Sequence, residues 1–240
     1  MLNKILCSAS IFLGLGTVDA QETTDSLKSN LTISGYIESY YTLDLNKPED
    51  HKRPAFIYSH NRSNELSVNL AMIKAAYEGD RVRSNLAIAV GSYMNANYSA
   101  EEGVWKNVYE ANVGYKLSAN HNVWIDAGVL PSHIGGESAI GIDNISLTRS
   151  IAAENSPYFE TGARLSYTTD DSKLYLAAVA LNGWQRIQLP NTSTGPSFGH
   201  QIQYKPIKSV LLNSSSYVGD EGKDSLRFFH DLYVQVAVNS

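Results

Sequence analysis

LTISGYIESYYTLDL, residues 31–45 of a 240-residue chain, alternates apolar and polar side chains one by one. Leu31, Ile33, Ile37, Tyr41, Leu43 and Leu45 share one parity, and Thr32, Ser34, Glu38, Tyr40, Thr42 and Asp44 share the other. Successive side chains of a strand point to opposite faces, so the segment has one dry and one wet face along roughly 50 Å, at about 3.4 Å per residue. A strand that crosses a bilayer needs about 9–11 residues, and this one exceeds that.

The same pattern recurs between turns almost to the end of the chain. Apolar rows run through Leu66, Val68, Leu70 and Met72, then Val82, Leu86, Ile88 and Val90, then Tyr109, Ala111, Val113, Tyr115 and Leu117. Val123, Ile125, Ala127 and Val129 follow, and then Phe159, Ala163, Leu165 and Tyr167. The stretch Lys173 to Asn182 is apolar or small on both faces, and its parity stays open. Two more strands, near Phe198–Tyr204 and Val210–Tyr217, precede Leu226 to Val238, where Phe228, Leu232, Val234, Val236 and Val238 oppose Arg227, Asp231 and Gln235. Lys74 falls on the apolar parity; a rim position from which it snorkels, or a bulge that shifts the register, would account for it.

Connections alternate in length. Those after even-numbered strands are tight, such as Glu78-Gly79-Asp80 and Lys205-Pro206-Ile207-Lys208, and those after odd-numbered strands are long. Outer-membrane barrels sort their loops in this way between two rims, whereas a soluble sandwich has no reason to. Many of the 15 tyrosines lie near strand ends, where they suit interfacial girdles.

Residues 1–20 read as a signal peptide: Lys4, an apolar stretch from Ile5 to Gly16, and the small-residue cleavage site Val18-Asp19-Ala20. Residues 21–30 form a short extension and 31–240 the barrel domain. Cleavage removes Lys4 and Asp19, leaving the net charge of −5 unchanged, and also the chain's one cysteine, Cys7. Stability must then come from a core or a closed ladder of hydrogen bonds rather than from disulfides. An acidic balance argues against a nucleic-acid partner. No apolar run after the leader approaches the length of a membrane helix, and only helices and closed barrels satisfy every backbone group in hydrocarbon.

Further segments carry a specific resemblance. Gly35-Tyr36-Ile37-Glu38-Ser39-Tyr40-Tyr41, Ser59-His60-Asn61-Arg62, Tyr109-Glu110-Ala111-Asn112, Pro131-Ser132-His133-Ile134-Gly135, Asn155-Ser156-Pro157-Tyr158 and Leu181-Asn182-Gly183-Trp184-Gln185 resemble the OmpL-like outer-membrane β-barrel porins. The resemblance spans most of the mature chain and implies a single barrel with a porin-like role in the bacterial outer membrane. The chain is shorter than proteins of this type and does not end on a terminal aromatic. The expectation is an all-β, antiparallel up-and-down transmembrane β-barrel of about ten strands that lacks its C-terminal strands, with a closed ten-strand barrel as the alternative.

A barrel works through its lumen, and the inward parity places Glu38, Arg83, Glu110, Lys116, Asp126, Glu160, Arg164, Arg227 and Asp231 there as candidate pore-lining charges. The connection 132–157 is the third long loop, and a connection beyond about 12–15 residues is usually functional. Folded inward, it would constrict the lumen, with Ile134, Ile140, Ile142, Ile145 and Ile151 against the wall and Glu137, Asp143, Arg149 and Glu154 facing the channel. His60, His121, His133 and His230 lack ligand-like spacing, and no nucleophile elbow or phosphate loop is present, so no catalytic residue, cofactor or metal is expected. The reading is a passive diffusion channel for small polar solutes in outer-membrane lipid, a homo-oligomer and by analogy a trimer. A non-channel structural or adhesin barrel and a barrel-anchored enzyme acting on lipid are the alternatives.

Overall fold

The computed structural model describes residues 30–238 apart from 147, 194, 221, 223 and 224, and also the backbone of Ser10 and Ile11. The proposed leader and most of the extension 21–30 lie outside the described residues; Ser10–Ile11 pairs with Thr42 and Tyr41. Ten further strands follow: β1 Leu31–Thr42, β2 Leu66–Glu78, β3 Val82–Val90, β4 Val108–Lys116, β5 Asn122–Pro131, β6 Phe159–Thr168, β7 Leu174–Leu181, β8 Ser197–Ile207, β9 Val210–Asp220 and β10 Leu226–Val236. Each pairs antiparallel with its sequence neighbours in one up-and-down sheet. Among the described residues β1 and β10 do not pair with each other, so the sheet they form is not closed.

Loop lengths follow the expected order with one exception. Tight turns join β2–β3, β4–β5, β6–β7 and β8–β9, long connections join β1–β2, β3–β4, β5–β6 and β7–β8, and the connection after β9 is short. The long connections carry two short helices, α1 (Ser92–Asn97) and α2 (Ile151–Glu154), and two 3-10 turns.

One face of the sheet is apolar and open: Ile33 is 71 % and Ile73 69 % exposed. A contiguous apolar surface of this extent on a sheet is what lipid-facing strands present. The other face is polar and covered, with Glu38, Glu110, Asp126 and Glu160 all buried.

The alternation breaks at three places, and each corrects an expected orientation. Asn69 is skipped in the pairing of β2 with β1, since Glu38 pairs with Leu70 and Ser39 with Val68. One extra residue flips every later side chain. Leu70 and Met72 therefore turn inward, Ile73 outward, and Lys74 reaches Glu110 at 2.6 Å across the polar face. The bulge thus removes the anomaly of Lys74. Tyr109 is skipped in the pairing of β4 with β3 and packs on the interior cluster instead of facing out.

The third break is at Gly128 and Gly162, which pair with each other on β5 and β6 at φ of +124° and +157°. A Cβ on Gly128 would run into the Ala111 carbonyl, and one on Gly162 into that of Ala180. Beyond these glycines Val129 and Phe159 are buried in the interior rather than outward. Gly128→Ala combines a left-handed φ with a backbone clash and is expected to cost about 1–3 kcal/mol, read as an earlier midpoint in urea unfolding of the refolded protein.

Parity on β7, left open by its sequence, is decided by packing. Ala177, Val179 and Leu181 are buried, while Leu176 and Ala178 are exposed. Two clusters fill parts of the interior: Leu70, Met72, Tyr93, Tyr98 and Phe159 with their neighbours, and Ile134, Val179, Leu181 and Tyr217.

Candidate functional site

Glu110 and Asp126 anchor a charged belt across β2–β6. Asp126 is 2 % exposed, and Arg83 clamps it through Nε and Nη2, each 2.7 Å from a carboxylate oxygen. Arg164 approaches the same carboxylate at 3.3 Å. Register explains the meeting, because Arg83 pairs with Gly114, Gly114 with Asp126, and Asp126 with Arg164. Gly114 leaves the space that the Arg83 and Asp126 side chains occupy. Arg83 also lies over the Trp124 ring, 4.2 Å from its centroid. Lys74 and Asn112 hold the two oxygens of Glu110. Lys116 is half-buried at the turn end of β4, and the backbone of Arg81 pairs with it.

Two long connections are latched to this face by buried histidine–carboxylate pairs. Glu38 accepts from His60 Nε2 at 3.0 Å and from Asn69 Nδ2 at 2.9 Å, and His60 lies edge-on to Tyr40. Glu160 accepts from His133 Nδ1 at 2.7 Å, and His133 Nε2 lies 2.8 Å from the Ser216 carbonyl. The His133 ring occupies the space above Gly199, where a Cβ would lie 2.7 Å from Nε2.

Burial opposes the charge on His133, but the hydrogen bond and charge of Glu160, with the Ser216 carbonyl, outweigh it and raise the imidazole above its usual 6.5. A raised value in the folded state means stability that is fully present below about pH 6.5 and is lost as pH climbs through the raised value. His133→Gln is therefore expected to cost about 2 kcal/mol in mildly acidic buffer. The deficit should shrink in alkaline buffer, when urea midpoints of both proteins are compared across pH; a constant deficit would show that the imidazolium plays no part.

The connection 132–158 runs over the polar face and touches both β10 and β1. Asp231 on β10 accepts from the Gly135 amide at 2.9 Å, and Gly136 packs on the Tyr233 ring. On the opposite side Gly141 abuts the Glu38 carboxylate of β1 so closely that a Cβ there would collide with it. Glu154 accepts from the Tyr58 and Ser59 amides, which joins this connection to the one between β1 and β2. Glu137 accepts from the Ser150 amide at 3.0 Å, and Asp143 is exposed and lies 3.3 Å from the Ser138 hydroxyl.

The remaining expected positions divide. Arg149 does not border open space: it is 6 % exposed and donates to the Ala139 carbonyl, closing the loop on itself. Ile134 and Ile140 pack inward, but Ile142, Ile145 and Ile151 are exposed, and the residue that α2 buries is Ala153. Arg227 lies over the Trp184 ring at 4.8 Å near the long-loop end. A cavity of about 300 Å³ remains between the loop and β10, lined by Gly136, Glu137, Ala152, Asp231, Tyr233 and Gln235 among others.

Sequence reasoning missed His60 and His133 as loop anchors and the aromatic cluster around α1. Burial pushes the Tyr93 and Tyr98 phenols far above their usual range, so both stay neutral. A usable signal was glycine on the strands at Gly114 and Gly199, where the missing side chains make room for Arg83 with Asp126 and for His133.

Residues 30–240 match the family model described as "Putative beta-barrel porin-2, OmpL-like". No curated protein and no solved structure matches the chain.

Proposed function

The chain belongs to the OmpL-like β-barrel porin family, and from that premise we propose that it forms a channel for passive diffusion of small polar solutes, narrowed by the loop 132–157. Porins of this kind reside in the bacterial outer membrane and work without covalent chemistry. Export by way of the leader at residues 1–20 belongs to the same proposal. The observation that carries the reading is the path of the loop, which crosses the polar face, is hydrogen-bonded at Glu160 and Asp231 and packs against Glu38. Solutes would pass the cavity beside β10, past Glu137 and Asp231, and then the belt of Lys74, Arg83, Glu110, Asp126 and Arg164. Both signs of charge line that route, which suits polar solutes generally.

The test is conductance of the purified protein reconstituted in a planar bilayer. Stepwise openings in salt support the channel. Silent insertion, confirmed by protease protection, would instead favour a non-channel barrel, a reading to which the aromatic cluster of Tyr93, Tyr98 and Phe159 in the interior lends weight.

A further inference from the structure

The outward face of β7–β10 carries a polar row where the apolar band should be continuous. Register aligns Ala178 with His200, His200 with Ser216, and Ser216 with His230 across four strands. The row toward the long loops is apolar, with Ala180, Phe198, Val218 and Phe228, and the row toward the turns is apolar except for Ser214, which lies between Ile202 and Leu232 beside Leu176. Phe228 and Leu232, which flank His230, are 71 % and 75 % exposed. The row therefore sits within the band rather than at a rim.

Within the row the polar groups pair as far as they can. Ser216 Oγ lies 2.6 Å from His200 Nδ1, and Ser214 Oγ, one row away, lies 3.1 Å from His230 Nε2. Each imidazole keeps one ring nitrogen, Nε2 of His200 and Nδ1 of His230, without a hydrogen bond among the described residues. Acyl chains offer neither donors nor acceptors, and an ionisable side chain at such a depth ordinarily has a protein partner.

We infer that this row is the contact surface for a second copy of the chain, related by a two-fold axis normal to the membrane. The chemistry of the row favours its own kind: a neutral imidazole and a hydroxyl each donate and accept, so the same set facing itself satisfies both. Depth favours it too, because copies inserted in one orientation place identical residues at one height, and a two-fold axis sets the patch against itself. Ala178 lowers the surface beside His200 and permits close approach of the two walls. The inference needs only that this face points outward in the membrane; it does not depend on whether the lumen conducts.

The mature chain has no cysteine, so Ser216→Cys adds a single thiol. Oxidised in outer-membrane fractions, this variant should run as a covalent dimer, while Ile37→Cys on the far side of the sheet should stay monomeric. His200→Leu combined with His230→Leu should abolish the dimer in lipid nanodiscs and leave a folded barrel, checked by heat-modifiable mobility. A monomeric Ser216→Cys protein, a ring assembly without the Ser216 cross-link, or an undiminished dimer in the double leucine variant would each overturn the proposal.

Discussion

Removing residues 134–151 should raise single-channel conductance several-fold while leaving a folded barrel. The deletion takes out the Gly135–Asp231 tie, the abutment of Gly141 on Glu38 and the self-closing Arg149–Ala139 bond. It spares His133, which holds Glu160, and Glu154, which holds Tyr58 and Ser59, so both stumps stay anchored to the wall. None of the described residues in the deleted segment belongs to a strand, and the hydrogen-bonded ladder from β1 to β10 is untouched. Closure entropy changes only slowly with loop length, so shortening this connection is not itself a large stability effect. If the loop limits flow, conductance rises and discrimination against larger solutes falls together. Unchanged conductance with normal heat-modifiable mobility would place the limiting section elsewhere, and the aromatic cluster would be the next section to open.

Asp126→Leu is the substitution with the largest expected cost to stability. It leaves Arg83 and Arg164 facing each other over a wall position with no carboxylate between them. Loss of one partner from a buried ion pair costs about 3–5 kcal/mol, and the low end applies here because both arginines retain access to water. Their side chains are 32 % and 20 % exposed. The expected loss is thus about 3 kcal/mol, measured as a shift of the urea midpoint for the protein refolded into liposomes. Replacing all three, with Arg83→Met, Asp126→Leu and Arg164→Met, should recover most of it, since a matched apolar set has no uncompensated charge. If the single and triple variants lose stability equally, the belt acts through packing rather than through charge.

Much of the belt could be read from parity alone. Arg83, Glu110, Asp126 and Arg164 fall on the polar parity of their strands, and the ladder brings them together, which parity alone does not foretell. The loop anchors could not be read in this way. His60 and His133 lie in irregular connections, where no period fixes the direction of a side chain, and their partners Glu38 and Glu160 are 22 and 27 residues away in the chain. Nor could the inward turn of Val129 and Phe159 be foreseen, and for Leu70 and Met72 the one sign was Lys74 on the apolar parity, which a bulge would account for. An apolar side chain on an apolar parity looks the same before and after a bulge; only the pairing with a neighbouring strand shows that Asn69 is skipped.

By itself the sequence determined that the chain forms strands with one wet and one dry face, because a period of two in side-chain polarity has only one regular backbone that satisfies it. The order of tight and long connections fixed how those strands run. Tertiary structure decided where each face begins and ends, since bulges and facing glycines act through contacts between strands that are distant in sequence. It also decided that the loop 132–158 crosses the polar face. That path depends on three contacts made at once, at Glu160, Asp231 and Glu38, on strands from both ends and the middle of the sheet.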